Sequence, residues 1–198
     1  MRFLLVILIP VVAFSIWQHH KRGENEQRLG VVASAIAQRT VGVHCPGFWR
    51  KLVDVRSEDG SVHFDVAGRP SDAAELSAQT CDRLEDFAGA GAKPRFDCLL
   101  PVDRACDRKV VETARALSTL AHEAYHLAGV RDEAAAECYG IQTAGFVAEQ
   151  LGATTAQGRL VAVWADRTSA RTHPAEYHSG ECRAGGALDL RPRNPAWP

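Results

Sequence analysis

Residues 109 to 151 hold two helical runs joined by a link too short to let them part. Lys109 to Leu127 contains neither Gly nor Pro. Within it and just beyond, Val110, Ala114, Leu117, Ala121 and Ala128 recur at helical spacings and lay one apolar stripe along the run. Gly129 stands where a helix ends, and Asp132 offers an N-cap to a second helix from about Glu133 to Leu151, stopped by Gly152. So short a connection dictates an antiparallel helix hairpin.

The first helix carries His122-Glu123-Ala124-Tyr125-His126, an H-E-x-x-H pentad. Spacing i, i+4 puts both imidazoles on one face, one turn apart, where they can share a Zn²⁺ ion. Glu123 lies about 100° round the helix from His122 and about 60° from His126. From there it can reach a metal-bound water as a general base without being a ligand itself.

In the hairpin, positions equidistant from the turn face each other, so His126 sits level with Glu133 and His122 with Glu137. Glu133 and Glu137 are themselves i, i+4 and share a face. One can supply a third ligand, and the other can accept a hydrogen bond from the distal N–H of a liganding imidazole. Spacing alone permits either assignment; Glu133 is placed on the metal and Glu137 on the imidazole. Three protein ligands leave a fourth position for water, which distinguishes a catalytic from a structural site. A solvated face of paired His and Glu would use the same residues. Here, though, Leu120, Ala121, Ala124, Leu127 and Ala128 flank them, and charges in apolar surroundings need partners or a metal.

This arrangement resembles the gluzincin-type zinc metallopeptidases, which pair H-E-x-x-H on one helix with E-x-x-x-D on the next. The second motif reads Glu133-Ala134-Ala135-Ala136-Glu137 here, with Glu in place of the Asp. The resemblance covers about residues 109 to 150. It implies that His122, His126 and Glu133 bind zinc, that Glu123 is the general acid and base, and that Glu137 orients His122. It further implies a zincin-like α+β fold, with a small antiparallel sheet ahead of the active-site helix hairpin.

At 198 residues the chain is long enough for one domain with a core. With a net charge of -1, nothing in the composition suggests a nucleic-acid partner. Phe3 to Trp17 is apolar apart from Pro10 and Ser15, with Arg2 before it and His19, His20, Lys21 and Arg22 after it. That is the layout of a signal peptide or a signal anchor. The lack of a small-x-small site at the usual distance favours an uncleaved anchor in the membrane. The expected organisation is an anchor and linker over residues 1–29, a catalytic domain over 30–168 and an irregular tail over 169–198.

Six cysteines, Cys45, Cys81, Cys98, Cys106, Cys138 and Cys182, follow that export signal. An even number in that context reads as three disulfides in an oxidising compartment outside the cytoplasm, with connectivity open. No C-x-x-C occurs, which disfavours a zinc knuckle or a redox site. A disulfide is also favoured over a metal-ligand role for Cys138.

Elsewhere, Lys51–Arg56 and Ser61–Val66 predict a β-hairpin about Ser57–Gly60. Ser71 can cap a helix to about Phe87, Phe96 to Val102 reads as a strand or extended link, and a third helix is expected from Thr155 to Ala165. An exposed sheet edge could bind an extended peptide by strand addition. Hydrolysis needs a donor for the developing oxyanion, and His173, Tyr177 and His178 are the candidates in the tail. Order in that tail is expected to come mostly from a disulfide through Cys182. Tyr125 is expected to pack, and His44 and His63 to be ordinary strand residues.

Two functions follow from these residues. The first is a membrane-anchored or secreted zinc metallopeptidase acting on a peptide or protein. The second is a non-enzymatic envelope protein that binds a partner, with a structural zinc or no metal. A fourth protein ligand from His173 or His178 would favour the second.

Overall fold

A computed structural model describes residues 21–47, 59–102, 105–193 and 196–198. The apolar run Phe3 to Trp17 and the first arm of the expected hairpin, Lys51–Arg56, lie outside the described residues. Among the described residues, no helix is long and apolar enough to cross a membrane.

The chain is α+β. Helix α1 covers residues 21–37, followed by strands β1 (Gly42–His44), β2 (Gly60–Ser61) and β3 (Ala73–Leu76). Helix α2 (Ala78–Gly89) and a 3₁₀ turn at Phe96–Leu99 lead into α3 (Arg108–Leu127), α4 (Glu133–Gln150) and α5 (Thr155–Thr172). A last 3₁₀ turn forms at Ala175–Tyr177.

The sheet corrects the antiparallel expectation, because it is mixed. Its order is β1-β3-β2, with β1 parallel and β2 antiparallel to the central β3. Ser61 pairs with Glu75. The segment after Ser71 is strand, not helix. Ala73-Ala74-Glu75-Leu76 buries Ala74 and Leu76 completely while Ala73 and Glu75 stay partly exposed. Pairing on both edges thus outweighs the helix preference of alanine. Ser71 Oγ bonds Ala73 O, and Ser77 is the residue that caps α2, accepting from Thr80 N. Phe96–Leu99 forms a 3₁₀ turn because Phe96 and Leu99 both point into the core, a spacing of three.

Helix α3 is more deeply buried than its single stripe predicts. Ala116, Leu120, Ala124 and Leu127 join Ala114, Leu117 and Ala121 in the core, since α2, α4 and α5 all pack on α3. Ala128, placed on the stripe, is exposed. The helix ends in a Schellman motif. Gly129, at φ +97°, donates to His126 O, and Val130 N donates to Tyr125 O. Asp132 then caps α4 through Ala135 N, so the reversal is fixed at both ends.

Helix α5 runs seven residues past Ala165, to Thr172. Thr154 and Gln157 form a capping box at its start. Three disulfides join Cys45 to Cys81, Cys98 to Cys106 and Cys138 to Cys182. The last of these ties the tail to α4, but it shares that work with Gln142. The Gln142 amide donates to Leu188 O at 2.8 Å, and its carbonyl accepts from Leu190 N at 2.8 Å. Trp197 Nε1 also donates to Asp166 Oδ1 at 3.0 Å, so several attachments besides the disulfide hold the tail.

Candidate metal centre

One helical turn separates His122 from His126, and their Nε2 atoms approach to 2.8 Å. The Schellman reversal that ends α3 also fixes the second imidazole. It brings the Val130 carbonyl to 2.7 Å from His126 Nδ1, which makes Nδ1 the protonated nitrogen and leaves Nε2 the lone pair. Glu133 opens α4, and its Oε2 lies 3.2 Å from each histidine Nε2. One turn on, Glu137 Oε2 is 3.3 Å from His122 Nδ1.

The hairpin closes tightly enough for these contacts because residue 140 is glycine. A Cβ there would meet the His122 backbone N and Cα at 3.1 Å.

His122, His126 and Glu133 therefore converge, and each can offer one ligand atom to a metal ion. Zinc bonds of about 2.0–2.2 Å to nitrogen and oxygen put tetrahedral donor atoms roughly 3–3.5 Å apart. Separations of 2.8, 3.2 and 3.2 Å leave a point ~2.1 Å from all three atoms, ~1 Å off their plane. Two imidazoles and a carboxylate fit zinc with one position left for water or substrate.

The electrostatics favour a cation at the same point. Burial opposes charge on His122, but hydrogen bonds with Glu133 and Glu137, helped by the nearby Glu123, raise its pKa to about 9. Burial and the charge of His122 push His126 below its ordinary value. The hydrogen bond from His122 holds Glu133 down. Burial would raise Glu137, yet hydrogen bonds from His122, His173 and Ser169 hold it well below the usual carboxylate range. One ionised carboxylate, Glu133, thus lies beside both Nε2 atoms, and a second, Glu137, lies behind the ring at His122 Nδ1.

Glu123 is buried at 4% exposure on the face of α3 next to β2. Gly60 packs directly on its carboxyl group: a Cβ at residue 60 would come within 2.8 Å of Glu123 Oε1. His122 and Glu123 line one end of a cleft of about 440 Å³ between α3, α5 and the tail.

The three tail candidates part ways. His173 Nδ1 is bonded to Glu137 Oε1 at 2.9 Å, and Tyr177 stacks on His122 with centroids 5.7 Å apart; both line the cleft. His178 instead meets Ser169 O at 3.4 Å and takes no part in the lining. Tyr125 packs on Tyr139 and accepts from Thr143 Oγ1. His44 and His63 are exposed, away from the triad. Cys138 follows Glu137 directly, but its sulfur is in the disulfide with Cys182.

Sequence reasoning did not find Ser169, whose Oγ donates to Glu137 Oε1 at 2.6 Å. That contact spans 32 residues, and nothing local marks it. The Val130 carbonyl could have been anticipated, because Gly129 signals the reversal that aims it. No protein-family model matches the chain, and no similar curated protein or solved structure was found.

Proposed function

We propose that the chain is a zinc-dependent metallopeptidase of gluzincin type that works outside the cytoplasm. The observation that carries this reading is the convergence of His122 Nε2, His126 Nε2 and Glu133 Oε2 within 3.2 Å of one another, beside a cleft that Glu123 also lines. Zinc held there would supply Lewis acidity, polarising a substrate carbonyl and acidifying a coordinated water.

The other tasks belong to side chains. Glu123 takes the proton of the attacking water and delivers it to the leaving nitrogen. Glu137 and the Val130 carbonyl hold the two imidazoles with Nε2 inward. Tyr177 and His173 line the cleft that holds His122 and Glu123, and either would serve as the oxyanion donor. Among the described residues, strand β2 is an edge of the sheet, and its Gly60 lines the cleft, so an extended peptide would pair there beside Glu123.

Three disulfides suit an oxidising compartment, and Phe3 to Trp17 suits attachment to a membrane. The alternative of a closed structural site draws less support, since His173 is bonded to Glu137 and His178 to a backbone carbonyl.

The test uses purified, disulfide-intact protein. Elemental analysis should find one zinc per chain, and unfolded protein substrates should be cut in a chelator-sensitive reaction. Glu123→Gln should keep the metal and lose the cutting by at least about a hundredfold. Undiminished cleavage by that variant would sink the mechanism.

A further inference from the structure

The cleft extends well past Glu123, along α3 toward its N-terminus. Arg115, Ser118, Thr119 and His122 lie at i, i+3, i+4 and i+7, so they form one polar stripe, and all four line the cleft. Arg115 is the one arginine or lysine in that lining among the described residues. It has no acidic partner there. Glu112, the carboxylate one turn before it, accepts from Arg83 Nε at 3.0 Å and meets Arg108 Nε at 3.4 Å. Arg39 and Arg69, by contrast, are paired, with Asp72 at 2.7 Å and Asp65 at 2.8 Å.

Arg115 is exposed at the cleft wall, and Ser118 and Thr119 follow it one turn on along the same helix face; a guanidinium and hydroxyls so arrayed can receive a carboxylate. Helical rise places Arg115 about 10 Å from His122 along the axis. An extended peptide covers that distance in about three residues.

We propose that Arg115, with Ser118 and Thr119, binds a carboxylate of the peptide substrate about three residues from the bond to be cut. Arg115 is thus a specificity-determining residue, and the substrate is a peptide with either a free C-terminus or an acidic side chain at that distance. This rests on the peptidase reading of the site, but binding can be read without hydrolysis.

The experiment uses the zinc-loaded full chain with Glu123→Gln, so that bound peptide is not consumed. The probes are fluorescent alanine-rich hexapeptides in three forms: free C-terminal carboxylate, C-terminal amide, and amide with one Asp moved along the chain. Binding is followed by anisotropy. The expected result is about tenfold tighter binding of one carboxylate form over the plain amide, the size of one charge-assisted contact. The terminal-carboxylate and Asp-scanned arms tell which source supplies it. Adding Arg115→Gln should bring that ratio to about one, and Arg115→Lys should keep part of it.

Equal binding of all forms, or a preference that survives Arg115→Gln, overturns the proposal. Wild-type protein is then tested for cutting the preferred peptide. Failure to cut it, with the binding preference intact, counts against the peptidase reading and not against the carboxylate site.

Discussion

Glu137 Oε2 sits 3.3 Å from His122 Nδ1, while its other oxygen accepts from Ser169 Oγ and His173 Nδ1. One carboxylate on α4 therefore links the candidate metal centre on α3 to α5 and the tail. With Oε1 held by Ser169 and His173, it cannot turn away from the imidazole without breaking contacts to two other elements. Of the two glutamates, Glu133 is the one whose oxygen faces both Nε2 atoms, while Glu137 lies at the opposite ring nitrogen of His122.

Glu133→Gln and Glu137→Gln should accordingly differ. Loss of the Glu133 carboxylate removes a donor and should weaken zinc binding by several orders of magnitude. Loss of charge at Glu137 loosens the His122 imidazole and should cost about 10–100-fold. Competition against a chromophoric chelator measures both. The opposite ranking would mean that the two glutamates exchange roles when metal is present.

The metal-free protein should be sensitive to alkaline pH at His122. Its pKa rises from 6.5 to about 9 on folding, so the protonated form is the one the fold favours. Its contribution is complete below about pH 6.5 and is lost as pH climbs through about 9. The size is about 3 kcal/mol. Thermal melts of chelator-treated protein between pH 6.5 and 9.5, compared with His122→Asn to subtract other titrating groups, should show the loss only in the chain with His122. Zinc needs the neutral imidazole, so loading should erase the slope and release about one proton per ion near neutral pH. A pH-flat difference between the two proteins would refute the assignment.

Gly60 offers a way to move Glu123 without touching its chemistry. A methyl group there would come within 2.8 Å of the carboxylate and displace it toward the cleft. Gly60→Ala should keep zinc affinity within about twofold and cut hydrolysis roughly tenfold or more, because small misplacement of a general base is costly. Full activity would show that the strand yields instead of the side chain.

What could be read from the chain follows the range of the interactions. The hairpin was legible because its signals are local: the stripe on α3, Gly129, Asp132, and the level pairing of His126 with Glu133. The sheet was not. Strand β3 is four residues of Ala, Ala, Glu and Leu, and its partners lie about thirty residues before it in β1 and twelve or more before it in β2. Its identity as a strand depends on neighbours that no local window contains. Ser169, Gly60 and Arg115 share that character, since each acquires its role only when α3, α5 and β2 enclose the cleft. The cysteines lie between these cases, with three disulfides implied by their even number and by reading the N-terminus as an export signal, while the pairing waited on the fold.

The Cys138–Cys182 disulfide gives the last test, because it stands directly beside the centre without belonging to it. Cys138 follows Glu137 on α4, and Cys182 closes the segment that carries His173 and Tyr177 past His122. With both cysteines replaced by alanine, Gln142 still holds residues 188 and 190, so the far end of the tail stays attached. The stretch between Thr172 and Leu188 is then kept in place mainly by the His173 bond to Glu137 and the stacking of Tyr177. Removing a cross-link that closes a loop of 44 residues should cost about 2–4 kcal/mol of stability. Zinc affinity should change by less than about threefold, since all three donors sit on α3 and α4 and Glu137 keeps its bond from Ser169. Hydrolysis should fall further than zinc binding does, as Tyr177 leaves the cleft wall. Melting temperature, chelator competition and turnover on one preparation separate the three effects. A parallel loss of zinc and turnover would show that the tail braces the metal ligands themselves, whereas unchanged turnover would remove Tyr177 and His173 from the catalytic wall.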